Sequence, residues 1–138
     1  MTHNLEQCGP LIAVKLYENV LEEVALLLPP MDTLAVIDTA APYTFIQEGV
    51  ATSLGYTPDE TVQITTASLR SFSSYQYRIW LGLPEWYVLE TNVIEVPFKL
   101  HSDTRVKCKI GRDILQYGVL TYNGPTNTFS LAFSESQI

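Results

Sequence analysis

The chain has 138 residues, 46% of them apolar and 17% charged, with a formal net charge of −7. That size and composition suit one compact domain over 1–138, with a core over about 9–133, and exclude a disordered chain. Only eight Lys and Arg are scattered along it and no apolar run nears the roughly 20 residues of a membrane-spanning helix, which excludes nucleic-acid and membrane classes. Leu11 to Tyr17, after Gly9-Pro10, is branched and aromatic and predicts a strand. Val20 to Leu28 has helical apolar spacing around Glu22 and Glu23 and is closed by Pro29-Pro30, so a short helix is expected there. Leu34 to Ile37 is a continuous apolar run, the mark of a strand buried on both faces, and it leads into Asp38-Thr39-Ala40-Ala41-Pro42. Ile46 to Leu54 has helical character and stops at Gly55, a residue suited to a left-handed cap.

Beyond Pro58 the pattern turns to strands. Val62 to Ala67, Tyr75 to Leu81 and Val93 to Phe98 carry β-branched and aromatic residues between polar breaks. Asp113 to Tyr117 predicts one short helix closed by Gly118. Val119 to Tyr122 and Thr128 to Phe133 flank Asn123-Gly124-Pro125-Thr126-Asn127 and predict a hairpin. The expected architecture is mostly β with one to three short helices. The aromatic stretch Trp80 to Glu90 is expected to feed the core, with Glu85 and Glu90 solvated.

Cys8 and Cys108 are too few and too far apart for a disulfide framework or a zinc site. Two free thiols, with no apparent signal peptide at the polar N-terminus, predict a cytoplasmic protein with no metal and no cofactor. His3 and His101 lie in polar stretches and are expected at the surface. The chemistry is therefore sought among carboxylates. Asp-Thr occurs three times, at Asp32-Thr33, Asp38-Thr39 and Asp103-Thr104. Only Asp38 leaves a buried strand and precedes small residues. A carboxylate there bears a desolvation cost unless hydrogen-bonded; the other two pairs are expected to be turn residues.

Ala35-Val36-Ile37-Asp38-Thr39-Ala40-Ala41, followed by Phe45-Ile46 and Leu54-Gly55, resembles the active-site segment of retroviral-type aspartic proteases, the retropepsins. About 70 residues on, Ile110-Gly111-Arg112-Asp113-Ile114-Leu115 is similar to the apolar-Gly-Arg-Asn/Asp segment that closes that fold. Gly118 to Pro125 and Phe129 to Phe133 are similar to the C-terminal hairpin of the bacterial branch of the family. The resemblance implies a retropepsin-like closed β-barrel or sandwich. It implies a dyad in which two carboxylates share one proton, one activating water and the other protonating the peptide carbonyl. A single domain carries one such segment, so the resemblance implies a homodimer with Asp38 from each chain and a peptide or protein as substrate. It further implies that Thr39 bonds the partner loop, and that Gly111, Arg112 and Asp113 support the loop holding Ala40 and Ala41. The net negative charge predicts that low pH eases both dimer contact and dyad protonation.

Three departures point to an alternative, an inactive retropepsin-fold dimer that serves as a binding or scaffolding module. Ala40 stands where the family has Gly, which would strain the loop if its φ were positive. Pro42 stands where many members carry Asp, so Arg112 needs another carboxylate or a backbone carbonyl as its partner. The expected flap, Thr65 to Tyr77, has no glycine; Ser68, Leu69, Arg70, Ser71 and Phe72 would form its tip, with Phe72 covering the cleft or packing into it.

Overall fold

A computed structural model describes residues 5–19, 29–66 and 68–133. In chain order these form α1 (Leu5–Cys8), β1 (Leu11–Leu16), β2 (Met31–Ile37), β3 (Phe45–Gln47) and α2 (Val50–Ser53). There follow β4 (Glu60–Thr65), β5 (Ser71–Leu83), a 3-10 turn (Pro84–Trp86) and β6 (Tyr87–Val96). The chain continues through β7 (Val106–Ile110), α3 (Arg112–Leu115), β8 (Gly118–Asn123) and β9 (Thr128–Phe133). The helix expected over Val20 to Leu28 lies outside the described residues, as does His3. Among the described residues no helix is long and apolar enough to cross a membrane.

The strands close on themselves. The sheet runs β1-β2-β7-β3-β6-β5, and β5 meets β1 again at Lys15↔Gly82 and Leu16↔Leu81, with β4 added outside β5. The result is a six-strand barrel with short helices, the mostly β class that the sequence predicts. Alternate residues point inward, and Leu16, Ile46, Ile79, Leu81, Leu83 and Ile110 have no exposed surface. Each such side chain contributes about 1.5–3 kcal/mol by leaving water. At the closure, the Tyr56 hydroxyl donates to the Tyr17 carbonyl (2.7 Å) and accepts from the Trp80 amide (3.1 Å). Its burial raises the phenol pKa above the ordinary value.

Two pairings in this barrel are parallel, β2 with β7 and β3 with β6. Parallel neighbours end on the same side, so the loops after Ile37 and Ile110, paired residues, leave the barrel together. That single register brings the two resembling motifs into contact.

Four sequence expectations are corrected. Ile46 to Leu54 is not one helix: Ile46 is an inward residue of β3, held between β6 and β7, and only Val50–Ser53 is helical. Gly49 and Gly55 bracket that turn at φ +86° and +88°, and the Gly49 bend starts the helix late. Leu34 to Ile37 is not buried on both faces, since only Ala35 and Ile37 are fully enclosed. Strand β7 was not expected, although Val106, Cys108 and Ile110 alternate inward against Lys107 and Lys109. His101 is not simply solvated: its Nδ1 accepts from the Asp103 amide (2.9 Å), which leaves Nε2–H to donate to the Cys8 carbonyl (2.7 Å).

The hairpin β8–β9 forms its own two-stranded sheet, in the register Leu120↔Leu131 and Tyr122↔Phe129. Leu120, Phe129, Leu131 and Phe133 pack on the barrel core but stay half-buried, and Phe133 meets Tyr87 edge-to-face at 6.1 Å.

Candidate active site

Asp38 is the first residue past β2. Its amide donates to the Ile110 carbonyl (2.9 Å), continuing the β2–β7 ladder by one step. Its Oδ1 accepts from the Ala40 amide (2.9 Å), and its carbonyl accepts from the Ala41 amide (3.2 Å). The loop therefore folds around the carboxylate, which satisfies one lone pair and leaves the group facing outward. Ala40 is not among the residues with positive φ, so its methyl brings none of the strain that a left-handed position would impose.

The second motif supports this loop from behind. The Arg112 amide donates to the Ala41 carbonyl (2.8 Å), and its guanidinium Nη1 donates to the Thr39 carbonyl (3.2 Å). A backbone carbonyl is thus the partner that Arg112 needs where Pro42 supplies no carboxylate. Gly111 is fixed by close approach: a Cβ there would lie 2.2 Å from the Tyr43 carbonyl oxygen. Asp113 Oδ1 accepts from the Thr44 hydroxyl (2.8 Å) and the Ile114 amide (2.9 Å), and Oδ2 accepts from the Thr44 amide (3.1 Å). The same Thr44 hydroxyl accepts from the Gly111 amide (3.2 Å). Thr44 has no exposed surface and ties the chain after Pro42 to Gly111 and Asp113, yet nothing in its surroundings in the sequence distinguishes it.

Asp38 opens onto a cavity of about 280 Å³. Its floor is Asp38, Ala40, Ala41 and Pro42; Phe45, Val96, Phe98 and Leu100 form the wall. The roof is Ile64, Thr65 and Thr66, where β4 turns into the hairpin with β5. That hairpin is the segment expected to be a flap. Its tip is closed by the Thr66 amide on the Arg70 carbonyl (2.8 Å) and the Leu69 amide on the Thr66 carbonyl (2.9 Å). With no glycine available, Leu69 itself takes the left-handed conformation at φ +63°, with its side chain 84% exposed. Ser68, Leu69, Arg70, Ser71 and Phe72 do not line the cavity. Phe72 reaches it indirectly, edge-on to Phe98 with ring centroids 6.0 Å apart. The residues facing Asp38 are on the β4 side, one strand earlier than the sequence suggests.

One lining residue is a cation. Lys109 sits at the end of β7 beside Val36 and Phe45, and its Nζ lies 3.4 Å from Asp38 Oδ2. Asp38 and Lys109 are the only ionisable groups among the described lining residues. Thr39 is exposed outside the cavity.

The other two Asp-Thr pairs sit elsewhere. Asp32 and Thr33 are not the expected turn residues: both lie in β2, paired with β1, and the Thr33 hydroxyl donates to the Arg105 carbonyl (2.7 Å). Asp103 forms a turn in which the Arg105 guanidinium and amide hold its carboxyl far below the usual carboxylate range. Among the described residues, no group of three or more His, Cys, Asp or Glu is placed to hold a metal ion.

No protein-family model matches the chain, and no curated protein sequence does. Among solved structures it is similar in fold to the simian foamy virus (mac) protease, at TM-score 0.49 and 11% identity, over 78% of this chain and 93% of that one. It is also similar to the retroviral protease-like domain of Ddi1 from Leishmania major, at TM-score 0.46 and 12% identity, over 90% and 92% of the two chains. Neither neighbour is bacterial, so the bacterial branch has no support from them. At this identity the likeness assigns no residue a role, and the site stands on its own geometry.

Proposed function

We propose that this chain is a retropepsin-like aspartic endopeptidase that works as a homodimer. The observation that carries this reading is the β2–β7 register, which sets the Asp38 loop on the Gly111–Asp113 segment at the mouth of a roofed cavity. One carboxylate cannot be both base and acid for a single peptide hydrolysis, and the cavity offers only Asp38. Two chains related by a two-fold axis would supply the pair, whose protons then belong to the dyad and not to either residue. One Asp38 would take a proton from water while the other gives one to the scissile carbonyl; Thr39 and the Ala40 amide would keep the loop in place.

The experiment is cleavage of unfolded casein by the purified chain across about pH 3.5 to 7, beside Asp38→Asn. Cleavage with an acidic optimum that the substitution abolishes is the expected result; cleavage that survives it would sink the reading. Sedimentation over the same range tests the dimer, which is expected to tighten as pH falls.

A second reading, an inactive dimer that binds peptides without cutting them, is favoured by the ammonium of Lys109 beside Asp38. It predicts peptide binding by the unaltered chain with no cleavage at any pH in that range.

A further inference from the structure

We propose that Lys109 sets the specificity of the cleft, which takes a peptide whose side chain in this cavity ends in a carboxylate, Glu foremost. The inference rests on the peptide-cleft reading above but not on the chain being an active enzyme.

The cavity combines an apolar wall with a single cation. Phe45, Ile64, Val96, Phe98 and Leu100 suit the methylene stem of a side chain, and Lys109 Nζ is the positive group its end can meet. A cation facing apolar groups calls for an anionic partner, and Asp38 is the one carboxylate that lines the cavity with it. Asp38 meets that need only in part. At 3.4 Å the pair is longer than the roughly 2.7–2.9 Å of a charge-assisted hydrogen bond. The side chains also keep 26% and 31% of their surface exposed, so solvent screens the attraction. The ammonium can therefore exchange Asp38 for an incoming carboxylate without breaking a tight contact. Lys109 is anchored for this purpose: its backbone is held in β7 between β2 and β3, and only the flexible stem has to swing. A Glu side chain, longer than Asp by one methylene, fills more of the apolar wall while reaching the same atom.

The cavity's two ionisable groups, Asp38 and Lys109, are of opposite charge, so Lys109 is its one attraction for an anion. A chain with net charge −7 repels acidic peptides in general, so a preference for Glu has to come from a local cation.

The test uses fluorescein-labelled octapeptides with an Ala, Leu and Phe background, in which Glu, Gln or Lys is walked through every position. Binding is read by anisotropy at neutral pH and cleavage by mass spectrometry under acid. The unaltered chain is expected to bind the Glu peptide about tenfold more tightly than its Gln counterpart at one position. Lys109→Gln and Lys109→Leu should bring that ratio to about one, and Lys109→Glu should turn the preference to Lys at the same position. Thermal melts identify any variant that fails to fold, and the remaining two then carry the result. Equal binding of Glu and Gln peptides by the unaltered chain would overturn the proposal. So would an unchanged preference in the folded variants. A uniform rise in turnover for all peptides in Lys109→Leu, with no change in preference, would also overturn it, because Lys109 would then act on Asp38 and not on substrate. A Glu preference that disappears with Lys109, in a chain that cuts nothing, would support the pocket while removing the protease reading.

Discussion

The floor and the roof of the cleft are built by different means. The floor is tied by contacts between residues far apart in sequence: Arg112 to Thr39, Asp113 to Thr44 and Thr44 to Gly111, each spanning more than 60 positions. The roof is tied locally, by ladder bonds and by hydroxyl pairs such as Thr65 with Ser71 (3.0 Å) and Thr66 with Ser68 (2.9 Å). The Thr44 bonds are buried or partly buried, whereas the Arg112–Thr39 bond and the hydroxyl pairs of the roof face water. A hydrogen bond lost at Thr44 leaves an enclosed group without a partner, whereas one lost from the roof is replaced by solvent. The Asp38 carboxylate is thus placed by the whole barrel, and the surface above it by a single hairpin.

The largest effect that would test this contrast is at Gly111. Gly111→Ala sets a methyl against the backbone carbonyl of Tyr43, which no rotamer change can clear. A loss of about 3 kcal/mol in denaturant unfolding, the upper end of overpacking costs, is expected. A variant as stable as the unaltered chain would show that the floor yields, and the distinction would collapse. Thr44→Val comes next. It keeps the volume but leaves the Gly111 amide without its acceptor and the Asp113 carboxylate without its hydroxyl donor. The expected cost is about 2–3 kcal/mol, read by the same unfolding curves. A double-mutant cycle with Asp113→Asn should give clear non-additivity, because the two side chains share one bond.

The roof should respond far less. Leu69→Gly removes the Cβ from a left-handed position and is expected to raise stability by no more than about 1 kcal/mol. If it instead cost as much as Thr44→Val, Leu69 would be anchored as firmly as the floor.

The same contrast governs what could be read from the sequence. Asp38, Gly111 and Arg112 stood out because each belongs to a short motif, and the strand before Asp38 was plain from its apolar run. Thr44 was not legible. It is an ordinary threonine between Tyr43 and Phe45, and its importance arises only when β2 and β7 align. Lys109 escaped notice because β7 itself did; its alternation is visible only if Lys107 and Lys109 are read as the outward half of a strand. The sequence places a hairpin over Thr65 to Tyr77 but does not tell which of its residues face the cavity. Its tip residues lack glycine and drew attention, while Ile64, Thr65 and Thr66 meet the cavity through the β4–β5 register. The split of Ile46 to Leu54 into strand and helix followed from the parallel pairing of β3 with β6, which no local pattern announces.

Cys108 lies in β7 one residue before Lys109, fully enclosed, and burial pushes its thiol up to about 12. At mildly alkaline pH it is protonated and unreachable, so an alkylating reagent can attack only while the barrel wall is apart. Under those conditions the rate of its modification counts openings of the strand that carries the cleft's cation and leads into Gly111. The half-exposed Cys8 provides the unprotected reference in the same chain. This domain therefore contains its own stopwatch for the lifetime of the cleft floor. A peptide seated against Lys109 should slow that clock without touching the sulfur.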